Sequence, residues 1–180
     1  MDIHNYTITF KLNTIITNAY NKISKYNPFV FSGLVMKFNA PKVTFIIHKT
    51  GNVIMLGKFK NDRRVKYAVK KLENKIRKIY KDAEATDIVL KNVVVGGKKI
   101  SHKLKPECLK DIFGKYFFYE PELFPGMRIF DEHSNACLTI FQNGKWYITG
   151  VTTIKYAEYF IARFETMFSS QNKIDECALN

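Results

Sequence analysis

The sequence predicts an α+β fold made from two copies of one unit, each of about 85–95 residues. Three observations lead there. Tyr26-x-Pro28-x-x-Phe31-x-Gly33 returns as Tyr119-x-Pro121-x-x-Phe124-x-Gly126, an offset of 93 that Gly51 and Gly144, and Gly57 and Gly150, also keep. Short runs alternate apolar and polar residues with period two, as half-buried strands do. Each unit then closes on a longer stretch with an apolar stripe at helical spacing.

The elements follow in order. Tyr6-Thr7-Ile8-Thr9-Phe10 is rich in β-formers and alternates, so it reads as a strand. Residues of about 13–24 read as a short helix. Leu34–Phe38, Val43–Ile47 and Val53–Leu56 read as strands, divided by the turn signals Asn39-Ala40-Pro41 and Thr50-Gly51-Asn52. Residues of about 61–81 read as a long helix, with Val65, Ala68, Val69, Leu72, Ile76 and Ile79 along one stripe. The second unit repeats the order: strand 88–95, helix 106–113, strands within 116–149 and helix 152–168. Residues 1–87 form the first repeat, 88–168 the second, and 169–180 a tail expected to fray. Phe10, Phe38 and Phe45 fall on the alternate face of their strands and are expected to pack beneath the helices.

Composition narrows the function. The 180 residues carry 29 Lys and Arg against 16 Asp and Glu, a formal charge of +13, which favours an anionic partner. The excess is uneven: residues 1–90 hold 17 basic and 6 acidic side chains, the remainder 12 and 10. Part of it reflects a general richness in Lys, Asn and Ile. No stretch approaches the roughly 18 apolar residues of a membrane span, and the first ten residues do not read as a signal peptide. Cys108, Cys137 and Cys177 are odd in number and lack close pairing, which argues against disulfides and zinc. The four histidines are far apart, so no metal is expected. Gly96-Gly97-Lys98-Lys99 lacks the spacing of a phosphate-binding loop and reads as a turn. Asp131-Glu132 reads as a pair of solvated loop acids, and no nucleophile-and-base arrangement stands out.

Tyr119-Glu120-Pro121-Glu122-Leu123-Phe124-Pro125-Gly126 resembles the second-repeat signature of the TATA-box-binding protein family, and Tyr26-Asn27-Pro28 with Phe31 resembles the first. The resemblance covers about residues 3–168. It implies a saddle: a curved antiparallel sheet of ten strands with four helices on its convex side. It also implies a general transcription initiation factor that grips promoter DNA of TATA type in the minor groove, bends it and nucleates assembly of the preinitiation complex. No cofactor and no chemistry are implied. The residue types suit the task, because the minor groove of A·T pairs offers hydrogen-bond acceptors over a smooth floor. Small apolar and hydroxyl side chains fit that floor, amides donate to it, and aromatic wedges unstack base steps.

Carried onto this chain, the central asparagines are Asn5 and Asn92, and the second-repeat wedges are Phe124 and Phe141. The first repeat keeps Phe31 but has His48 as its partner. Thr149 keeps the family's threonine, whereas Leu56 replaces it in the first repeat. Thr7, Ile46 and Ile54 complete the first half of the face, and Val94, Cys137, Thr139 and Tyr147 the second, Tyr147 being larger than the valine usual there. Lys37, Thr50, Asn143 and Lys145 stand where the family contacts phosphate, and Arg128 is a substitute for the basic residue expected at Phe130.

Two surfaces are implied for the polymerase machinery. Glu120, Glu122 and Leu123 match the contact for the IIB-type factor. The basic stretch from Lys58 to Lys81, with Arg63, Arg64, Lys70, Lys71, Arg77 and Lys78, matches the surface for the IIA factor. In the first repeat, Phe29 and Val30 replace two basic residues. The alternative reading is a divergent relative with altered DNA preference or partners, from a parasite or a large DNA virus. The same fold serves as an accessory domain in DNA glycosylases and some ribonucleases H, but this chain has no residues left for their catalytic domains. The expected location is the nucleus, or the cytoplasm for a viral source.

Overall fold

The computed structural model describes residues 1–98, 100, 103–170 and 178–179. They divide into two units, residues 5–91 and residues 92–180 with 1–4.

In the first unit, β1 (Asp2–Leu12), β2 (Gly33–Asn39), β3 (Lys42–His48) and β4 (Asn52–Gly57) lie in the order β2-β3-β4-β1, each pair antiparallel. The strands alternate strictly. Ile8, Phe10, Leu12, Leu34, Met36, Phe38, Val43, Phe45, Ile47, Val53 and Met55 are all buried, as period two requires. They pack beneath α1 (Asp62–Ile76), whose Ala68, Val69, Leu72 and Ile76 form the buried stripe. Asn61 caps α1 by accepting the Arg64 N–H at 3.1 Å, and Asp62 opens the first turn. The helix stops at Ile76 and not near residue 81. Arg77 Nε donates to the Ala83 carbonyl and buried Glu73 accepts the Ala85 N–H at 2.9 Å, so the chain is drawn back into β5 (Ala85–Gly96).

The helix expected over residues 13–24 is a 3-10 turn, Asn18–Lys22. Four β-branched residues, Thr14 to Thr17, precede it and disfavour an α-helix. Thr14 and Tyr20 share a buried hydrogen bond that fixes the turn instead.

In the second unit the order is β5-β10-β9-β8-β7, from β10 (Trp146–Val151), β9 (Cys137–Phe141), β8 (Gly126–Phe130) and β7 (Phe117–Phe118). α2 (Pro106–Phe113) and α3 (Ile154–Ser170) cover one face, with Phe113 and Phe164 stacked at 5.4 Å. Pro106 suits the first turn of α2, and Thr153 accepts the Tyr156 N–H to open α3. A short antiparallel pair joins β6 (Lys103–Leu104) and β11 (Ala178–Leu179).

Among the described residues the two sheet sections hold nine strands where ten were expected, and there are three α-helices where four were expected. The missing strand is the first-unit counterpart of β7, which the offset places at Ser24-Lys25. Those residues are poor β-formers, and the Ser24 hydroxyl donates to the Val35 carbonyl at 2.8 Å in place of a strand ladder. Cys108 is disulfide-bonded, which corrects the expectation against disulfides, whereas Cys137 is a free, buried thiol; Cys177 lies outside the described residues. Most of the tail expected to fray also lies outside them, and α3 takes in residues 169–170. No helix of the described residues is long and apolar enough to cross a membrane.

Candidate nucleic-acid interface

In each unit the helices bury one face of the strands and leave the other without a helix. On the first unit's open face, cross-strand register builds two rows. One is Thr7, Leu56, Thr44 and Lys37; the other is Thr9, Ile54, Ile46 and Val35. Lys37 alone in these rows is charged, and it is exposed at the edge strand. Thr9, Val35 and Thr44 were not among the residues carried over, yet strict alternation from Thr7, Lys37 and Ile46 already places them on this face.

Gly33, at the start of β2, faces His48 at the end of β3. A Cβ on Gly33 would fall 2.8 Å from the Phe31 ring and 2.8 Å from Ile46, so the ring lies directly over this glycine. Phe31 is thereby held half-exposed at the end of the apolar row. Asn5 is half-buried on β1, and Thr50 is exposed in the turn between β3 and β4, where Gly51 has φ 83°.

The second unit repeats the arrangement with larger side chains. A Cβ on Gly126 would fall 2.5 Å from Phe124 and 2.7 Å from Thr139, so Phe124 lies over its glycine as Phe31 does. Phe124 then meets Phe141 edge-on at 6.0 Å, and Phe141 meets Tyr147 at 5.8 Å. The register sets Arg128, Thr139 and Tyr147 in one row, and Phe130, Cys137 and Thr149 in the next. Arg128 was expected at the phosphate rim. Its guanidinium lies 5.8 Å over Phe124 and 5.9 Å over Phe130, on the open face. Flanked by Arg128 and Tyr147, Thr139 is only 3% exposed and Cys137 8%, whereas their first-unit counterparts Ile46 and Thr44 are half-exposed. Burial pushes the Cys137 thiol up, so it stays neutral.

Asn92 accepts the Gly150 N–H through Oδ1 at 2.8 Å. Only the oxygen can accept from a backbone N–H, which fixes the amide orientation. The side chain's remaining strong capacity is then its two NH₂ donors, the complement of an acceptor-only surface. Val94 lies half-buried on the same strand. Asn143 and Lys145 are exposed in the turn between β9 and β10, where Asn143 accepts the Lys145 N–H at 3.0 Å and Gly144 has φ 77°.

The expected partner surfaces are also placed. Glu120, Glu122 and Leu123 project from a turn in which the Leu123 and Phe124 N–H groups donate to the Glu120 carbonyl, and Leu123 is 82% exposed. The equivalent first-unit turn leaves Phe29 99% and Val30 81% exposed. On α1, Arg63, Arg64 and Lys70 are exposed. Arg77 and Lys78 lie just beyond the helix. Three of these cations serve their own unit: Lys70 pairs with Glu73 at 3.0 Å, Lys71 lies 5.5 Å over the Phe38 ring, and Arg77 binds the Ala83 carbonyl.

Asp131 is not a solvated acid. It is 7% exposed and receives Tyr156 Oη at 2.6 Å, Ser134 Oγ at 2.7 Å and Arg163 Nη1 at 3.2 Å. Burial pulls its carboxyl up. The hydrogen bonds from Tyr156, Ser134 and the His133 backbone, with the Arg163 charge, outweigh that and leave it below the usual range. The sequence carries no mark of this network. Among the described residues no group of three or more His, Cys, Asp or Glu could hold a metal ion.

A doubled unit with helices on one face of its strands and an open, mostly uncharged other face defines a class of two-repeat sheet proteins. The fold is that of an archaeal member: Methanococcus jannaschii TBP matches with a TM-score of 0.77 over 94% of this chain and 98% of that one, at 23% identity. A family profile described as "Transcription factor TFIID (or TATA-binding protein, TBP)" matches residues 2–79 and 87–170, and the chain belongs to the TATA-binding protein family. The TATA-box-binding proteins of Schizosaccharomyces pombe and Dictyostelium discoideum are 32% and 31% identical, each over 87% of this chain. The match spans 65% of the S. pombe protein and 73% of the D. discoideum one. A Drosophila melanogaster TBP-related factor is 28% identical over 85% of the chain. The family consists of transcription factors and not of enzymes.

Proposed function

We propose that this protein is a general transcription initiation factor that binds TATA-like promoter DNA in the minor groove, bends it and nucleates the preinitiation complex in the nucleus. The observation that carries this reading is the ring cluster over Gly126: Phe124 and Phe141, 6.0 Å apart, at the edge of an open face whose central amide, Asn92, is left with donors. Unstacking a base step costs a few kcal/mol, and apolar wedges of this kind offset it by the contact they gain. Asn5, Thr7, Ile46, Ile54, Leu56, Val94, Thr139 and Thr149 meet the groove floor in this reading. Lys37, Thr50, Asn143 and Lys145 hold phosphates. Glu120, Glu122 and Leu123 receive a IIB-type factor, and Arg63, Arg64 and Lys78 a IIA-type factor.

A second reading, a family member with altered DNA preference or partners, is favoured by His48, Leu56 and Tyr147 on the face and by the exposed pair Phe29-Val30. One assay separates the two. Fluorescence transfer between the ends of labelled duplexes reports bending on a TATAAA site and on a scrambled G·C-rich site. Strong bending of the first alone, abolished by Phe124→Ala or Phe141→Ala, is the expected result. Equal responses on both duplexes favour the second reading, and normal bending by both variants refutes the wedge mechanism.

A further inference from the structure

The two units are copies in sequence but not in the hardware of their open faces. The offset of 93 places Phe31 opposite Phe124, Val35 opposite Arg128, His48 opposite Phe141 and Ile54 opposite Tyr147. The second unit therefore presents three rings in contact, at 6.0 and 5.8 Å, with a guanidinium over the first of them. The first unit presents one half-exposed ring, an imidazole and two aliphatic side chains.

Each difference acts in the same direction. A wedge must be apolar to displace a stacked base, and imidazole has less apolar area than phenyl and a larger desolvation cost. A wedge must also hold its position against the bases. Phe141 is braced by Phe124 on one side and Tyr147 on the other, whereas Phe31 rests on Gly33 and Ile46. Finally, a cation on the groove-facing side is attracted by the negative potential of a narrow A·T minor groove. Arg128 supplies one beside the second wedge, and Val35 offers none at the equivalent place.

We infer that the second unit is the dominant kinking end of the DNA contact, with Tyr147 bracing Phe141 and Arg128 drawing the groove onto Phe124, and that the first unit kinks weakly because His48 stands where a second ring would. This rests on the proposed minor-groove reading and deepens it. It makes Tyr147 and Arg128 positioning residues for the kink, and the bend an unequal one.

The test is the end-to-end fluorescence-transfer assay on the labelled TATAAA duplex at saturating protein, comparing wild type with Phe31→Ala, Phe124→Ala, Tyr147→Val and His48→Phe. Each substituted side chain is half-exposed, and thermal unfolding of each variant verifies that it is folded. Phe31→Ala is expected to keep more than about half of the wild-type change in transfer, and Phe124→Ala to lose nearly all of it. Tyr147→Val reduces the change, and His48→Phe increases it by supplying the missing ring. Equal losses for Phe31→Ala and Phe124→Ala, or no gain from His48→Phe, overturn the inference while leaving minor-groove bending intact. Absence of any change with wild-type protein, on this duplex or the G·C-rich one, overturns the functional reading and this inference together.

Discussion

At the scale of single residues, two glycines decide where the wedges stand. Gly33 and Gly126 lie beneath Phe31 and Phe124, and each has a ring carbon within 2.8 Å of where a Cβ would be. Neither needs unusual backbone angles; what they provide is space. Gly126→Ala is therefore expected to push Phe124 off its seat and into Phe141. Stability falls by about 1–2 kcal/mol, as for an overpacked site, and DNA bending falls further than stability accounts for. Chemical denaturation alongside the transfer assay separates the two effects. Gly150 plays a different part. With φ 76°, and with the Asn135 carbonyl 1.9 Å from any Cβ, it allows the bulge in β10 that delivers its N–H to Asn92.

At the scale of elements, the end of β8 is tied to α3 through Asp131, Tyr156, Ser134 and Arg163. Because the folded-state pKa of Asp131 lies below its unfolded value, its contribution is complete above the usual carboxylate range and is lost as pH falls through the folded value. Stability to denaturant should thus decline below about pH 4, and Asp131→Asn should flatten that decline while costing about 2–3 kcal/mol at neutral pH. A decline as steep in the variant as in wild type would remove Asp131 from the account. The comparable tie in the first unit is Glu73 of α1, which holds the start of β5 through the Ala85 N–H and pairs with Lys70.

At the scale of the molecule, the formal charge of +13 overstates the charge available to DNA. Eleven of the basic residues lie between Lys58 and Lys81, on α1 and its flanks, and α1 packs on the face of the first unit's strands opposite to Thr7, Ile46 and Ile54. The open faces and their turns offer Lys11, Lys37, Lys42, Lys49, Arg128 and Lys145. A double-logarithmic plot of DNA affinity against salt should have a slope of about −5 and not the roughly −12 that full use of the net charge would give. Lys145→Ala should reduce the slope by about one and leave the ratio of TATA to G·C affinity unchanged. A slope near −12 would move DNA contact onto the helix side.

Much of this was legible in the linear sequence, because it depends on local periodicity. Period-two alternation fixed which side of each first-unit strand is buried, and the apolar stripe fixed the inward side of α1. The repeated Tyr-x-Pro-x-x-Phe-x-Gly motif located both wedge loops. What depends on packing and strand register was not legible. The 3-10 turn over Asn18–Lys22 replaced a helix because Tyr20 is held by Thr14 in the core, and Ser24 replaced a strand by bonding to Val35. Arg128 lies over Phe124 and Phe130 on the open face, and Asp131 left solvent because α3 brings Tyr156 and Arg163 to it. The sequence by itself determined the repeat, the strand faces and the residue types on offer, since each is carried by the linear order of residues, as a motif returning at a fixed offset or as a local period. Only the tertiary structure decided which rings touch, which cation lies over a ring and which acid is buried, since those contacts are set by strand register and packing and not by spacing along the chain.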